Sequence, residues 1–117
     1  MKIFYLFLLL LIAQSASAQL SSDEKKIIDY LKAHHGEAEE LLIESVNINS
    51  GTLNVDGVKK VGAVYRRELD KLGFTTEWVD LPDSLRRAGH LVASRKGSQG
   101  KRLFLIGHLD TVFELDM

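Results

Sequence analysis

The stretch that most constrains this chain is LFLIGHLDTVFE, residues 103–114. Leu103 to Ile106 is an unbroken apolar run, and KRLFLIGH as a whole reads as a β-strand buried on both faces, as in the middle of an α/β sheet. The run gives way to Gly107, His108 and, two positions on, Asp110. On an extended segment residues i and i+2 face the same way, so His108 and Asp110 are expected side by side where a buried strand meets solvent. In α/β sheets ligands bind at the carboxyl ends of strands, and Gly107 lets the backbone turn or another group approach. A ligating imidazole needs its second nitrogen occupied, and a carboxylate two residues on can reach it. Two readings stand: a metal-binding or catalytic pair, and a hydrogen-bonded structural pair.

The preceding segments supply helices and strands for an α/β fold. Ser21 with Glu24 makes a capping box. Ile27, Ile28, Leu31, Ala38, Leu41 and Leu42 then lay one apolar stripe along a helix, with a break expected at Gly36. His34 and His35 are adjacent, so on a helix they point about 100° apart and read as surface residues. NINSGTLN is a loop. A second amphipathic helix starts near Asn54 or Val55, carried by Val58, Val61, Gly62, Tyr65, Leu69 and Leu72, and stops at Gly73. FTTEWVDL reads as a strand ended by Pro82, and HLVASRKG as another, running through the turn SQG into KRLFLIGH. Helices packed on a mixed β-sheet follow. His90, at the start of its own strand, reads as structural or surface.

Composition narrows the chemistry. Of 117 residues, 45% are hydrophobic and 26% charged, as in a globular domain. The net charge of −1 gives no electrostatic reason to expect nucleic acid. With no cysteine, any metal must be held by nitrogen and oxygen ligands. At the N-terminus, Lys2, the apolar run IFYLFLLLLIA and the small residues Ala16 and Ala18 read as a signal peptide over residues 1–18, cleaved before Gln19. The run is shorter than the roughly 20 residues of a spanning helix; a retained anchor is the alternative. Secretion or export to the periplasm follows, with no membrane association after cleavage. No paired arginines support a twin-arginine signal.

LFLIGHLDTVFE resembles the first metal-binding strand of the M20 metallopeptidases, the group related to glutamate carboxypeptidase, aminoacylase and acetylornithine deacetylase. ELLIESVNINSGTLNVDGVKKVGAVYRRELDKLGFTTEWV is similar to the family's opening helix, short Ser-Gly-Thr loop and amphipathic helix. The resemblance implies that residues 19–117 are the N-terminal portion of a zinc-exopeptidase-like catalytic domain. It implies that His108 binds one of two zinc ions. Asp110 would orient that histidine and count among the catalytic residues. Glu114 and Asp116 match no family ligand and read as loop residues. The remaining ligands and the general base lie later in the family's pattern than Met117, so the chain is expected to be inactive alone. A peptide or N-acyl amino acid substrate and a homodimer of the full-length form are implied in the same way.

A reading from another class is a secreted α/β binding or interaction module without catalysis. A complete hydrolase with a metal-free site fares worst, since the chain has neither a Gly-x-Ser-x-Gly elbow nor a Cys–His pair.

Overall fold

A computed structural model describes residues 19–115. The expected signal peptide, residues 1–18, and Asp116 lie outside them. The chain divides into two compact units, one ending at Ala38 and the other beginning at Glu39.

In the first unit, helix α1 spans Ser22–Ala33. Its start is set locally: Ser21 Oγ accepts from the Glu24 amide at 3.2 Å and Glu24 Oε2 accepts from the Ser21 amide at 2.7 Å. These bonds satisfy two of the amides that a helix N-terminus leaves unpaired. The helix ends at His34, two residues before the expected break. His34 donates from both its amide and Nδ1 to Tyr30 O, at 3.1 and 2.8 Å, and its ring stacks on Tyr30. Gly36 sits inside the next helix, α2, His35–Val46. A glycine weakens a helix without ending it; the break falls at His34, whose backbone leaves helical geometry at φ −107° and ψ 17°.

The second unit is built on helix α3, Val55–Lys71. Asn54 caps it, accepting from the Gly57 amide at 3.1 Å. Its apolar face buries Val58, Val61 and Val64. Gly73, at φ +77°, takes the left-handed turn that follows. Strands β1, Thr75–Val79, and β2, His90–Ser94, pair antiparallel, with Trp78 opposite Leu91 and Thr76 opposite Ala93. Trp78, Leu91, Thr76 and Ala93 are the half-buried positions of the ladder, and both strands contact α3. A Cβ on Gly62 would collide with the Trp78 ring, so this glycine lets the indole lie directly against the helix. Trp78 Nε1 donates to Ala88 O at 2.8 Å, which fixes the long β1–β2 connection. Across the same unit, Arg67 forms a fork with Glu44 of α2, and Tyr65 Oη lies 3.5 Å from Ser45 Oγ.

The result is a small α/β fold with packed helices and a two-stranded sheet. The expected mixed sheet does not form among the described residues. Residues 101–108 join no ladder, and Leu103, Phe104, Leu105 and Ile106 are 80–88% exposed. The reason is that a strand exists only through a partner: apolar character favours burial, but the backbone groups must find another strand to pair with. No helix among the described residues is long and apolar enough to cross a membrane.

Candidate functional site

Immediately after the exposed run, the chain is captured. Leu109 is half-buried, with its Cδ1 close to Gly62, beside the Trp78 ring. Thr111 forms a parallel bridge with Gly51 of the NSGT loop. The Thr111 amide donates to Ser50 O at 2.8 Å, and the Thr52 amide donates to Thr111 O at 3.1 Å. Asn49 Nδ2 donates to Phe113 O, and the Leu53 amide donates to both carboxylate oxygens of Glu114 at 3.2 and 3.3 Å. A side chain on Gly51 would strike Glu114 and the Phe113 carbonyl, so only glycine permits this approach. Asn54 ties the loop to the helix it caps, donating to Asn49 O at 2.9 Å.

The clamp holds the segment on which His108 and Asp110 sit. The structure brings the two together: His108 Nδ1 is 3.1 Å from Asp110 Oδ1. An ionised carboxylate only accepts, so Nδ1 carries the proton in this pair. Nε2 is then left as a lone pair on an imidazole whose side chain is 86% exposed. The other oxygen of Asp110 is taken as well, since Thr52 Oγ1 donates to Oδ2 at 2.8 Å. Thr111 O lies 3.1 Å from the same hydroxyl. One proton cannot serve both acceptors fully, and the shorter, charged contact takes it. The Thr52 hydroxyl, followed by the His108 ring, holds the Asp110 carboxyl below the usual carboxylate range.

A depressed value stabilises the folded arrangement above the unfolded pKa, and that contribution is lost as pH falls through the folded value. Asp110→Asn is therefore expected to lower the urea midpoint at about pH 6 and to lose that effect below roughly pH 4, the ordinary range for aspartate. Urea titrations of both proteins across that range check this; a difference that grows towards acid would contradict it.

Other candidates stay apart. His90 is exposed and pairs in register with Val79. His34 is engaged with Tyr30, and Glu114 is spent on the Leu53 amide. Among the described residues, no three His, Asp or Glu side chains are placed to hold a metal ion together. As a single nitrogen ligand His108 does fit zinc, with one ring nitrogen tied and the other open. Thr52 is the contact that sequence reasoning missed. It lies 58 residues from Asp110, and no spacing rule links a loop hydroxyl to a carboxylate at that distance.

Comparison with known proteins agrees in part. A segment of 68 residues, 58% of this chain, is 37% identical to carboxypeptidase G2 of Pseudomonas sp. (strain RS-16), and it covers 16% of that protein's length. No family model matches the chain, and no solved structure matches it. The similarity is partial and weak, and it supports a distant relationship to the M20 peptidases.

Proposed function

We propose that this chain carries the first metal-ligand segment of a di-zinc amide hydrolase, with His108 as a zinc ligand through Nε2 and Asp110 as the carboxylate that orients it. The single observation that supports this most is the His108–Asp110 contact, which leaves Nε2 free on an exposed ring. The similarity to a carboxypeptidase supports a peptide or N-acyl amino acid as substrate class. Zinc held with the help of His108 would supply Lewis-acid chemistry, lowering the pKa of a bound water and polarising a substrate carbonyl. The chain's own part is narrower: Asp110 keeps the His108 proton on Nδ1, and the loop clamp fixes both residues at the surface. A catalytic zinc needs at least three protein ligands, so the further ligands and the general base belong to residues outside those described. Residues 19–117 are accordingly read as one part of the catalytic domain, exported behind residues 1–18.

The test is zinc binding by the whole gene product. His108→Ala is expected to reduce bound zinc from two ions per chain towards one and to abolish amide hydrolysis, by metal analysis and a peptide-release assay. Unchanged zinc content with unchanged hydrolysis would refute the ligand assignment. A second reading, a non-catalytic interaction module, is favoured by the exposed Leu103–Ile106 run. It predicts no zinc binding by either protein.

A further inference from the structure

We propose that Thr52 is a positioning residue of this site: its hydroxyl holds Asp110 so that the carboxylate keeps the His108 proton on Nδ1 and turns Nε2 outward as the ligand atom. The toward-zinc part of this inference rests on the function proposed above; the positioning itself rests on geometry.

A carboxylate rotates about a broad, two-fold torsion. A single bond to an exposed imidazole would let it swing into solvent. Here both oxygens are engaged from different sides, Oδ2 by Thr52 at 2.8 Å and Oδ1 by His108 at 3.1 Å. The Thr52 end is rigid because its backbone is held separately, by the Thr52 amide on Thr111 O and by the Gly51–Thr111 bridge. The Asp110 side chain is about two-thirds shielded, whereas His108 is open. Order therefore passes from the buried loop, through the carboxylate, to the exposed ring. In free neutral histidine the proton prefers Nε2, the atom a metal would need. The Thr52–Asp110 pair reverses that preference before any cation arrives, which is the role carboxylates serve behind ligating histidines.

Thr52→Val removes the hydroxyl, keeps the shape and leaves both backbone bonds in place. Thr52→Ser keeps the hydroxyl. The whole protein, labelled with ¹⁵N-histidine, is measured by magic-angle-spinning NMR at about pH 8, above the ordinary imidazole range near 6.5. The His108 signals are assigned by their loss in His108→Gln. The wild type and Thr52→Ser are expected to show protonated Nδ1 and bare Nε2, and Thr52→Val to shift towards protonated Nε2. Zinc affinity, by competition with a chelating dye, is expected to fall about 10–100-fold in Thr52→Val and to recover in Thr52→Ser. An unchanged tautomer in Thr52→Val overturns the proposal, as does a serine variant no better than valine. If the tautomer shifts while His108→Gln binds zinc like the wild type, the positioning role stands and the zinc assignment falls.

Discussion

Residues 19–117, produced alone, are expected to self-associate, and Phe104→Lys with Ile106→Lys is expected to return them to monomer. Leu103, Phe104, Leu105 and Ile106 are 84, 87, 88 and 80% exposed. Burying such a side chain contributes roughly 1.5–3 kcal/mol. Two copies meeting along this run cover eight of them, a gross gain of about 12–24 kcal/mol by the same scale. Association and ordering cost on the order of 4–15 kcal/mol, so burial wins over most of that range. The backbone adds to it, because residues 101–108 pair with no strand among the described residues, where the two-stranded sheet leaves an open edge on each strand. Such edges template pairing with another chain, and lysines placed on them discourage it. Sedimentation velocity across a concentration series reads the outcome. A wild-type monomer at every concentration would show that the run is satisfied within its own chain.

Trp78→Ala is expected to cost about 2–3 kcal/mol, somewhat below the 3–5 kcal/mol of a fully buried tryptophan, because Trp78 is half-buried. The loss has two parts. The ring fills the space that Gly62 leaves against α3, and Nε1 satisfies the Ala88 carbonyl. Few other residues can compensate, since the buried apolar set among the described residues is Val58, Val61, Val64 and Ala88. A small domain with such a core has only a few kcal/mol in reserve, so the alanine variant is expected to lose its cooperative melt. Trp78→Phe keeps an aromatic ring but loses the N–H and part of the indole's reach towards Gly62, and is expected to fall between, at roughly 1–2 kcal/mol. Urea melts followed by far-UV circular dichroism separate the three proteins; tryptophan fluorescence cannot, because Trp78 is the chain's one tryptophan. An alanine variant within about 0.5 kcal/mol of wild type, the range of an ordinary surface change, would mean the indole does not hold sheet to helix.

The candidate site was legible in the sequence to an uneven degree. The pairing of His108 with Asp110 was expected from a spacing of two on an extended strand, and the structure brings the groups to 3.1 Å without that strand, across a bend at Leu109. That geometry does not depend on the strand that was expected to carry it: the neighbouring run is unpaired, and the pair is held instead by the NSGT loop and by Leu109 beside Gly62. Glu114 reads correctly as a loop residue, although its role as acceptor for Leu53 is visible only in three dimensions.

What the sequence determined by itself was local: the Ser21–Glu24 box, the start of α3 at Asn54, its stop at Gly73 and the positions of β1 and β2, each of which is shorter than the stretch read as strand. Each depends on neighbours within a few residues, where dihedral preference and side-chain-to-amide bonds act without outside help. Tertiary structure alone decided that residues 101–108 join no ladder among the described residues, that an indole rests on Gly62, and that Thr52 reaches Asp110 across 58 positions. Hydrophobicity says that a segment would gain from burial; only a surface with matching shape and open backbone groups says where.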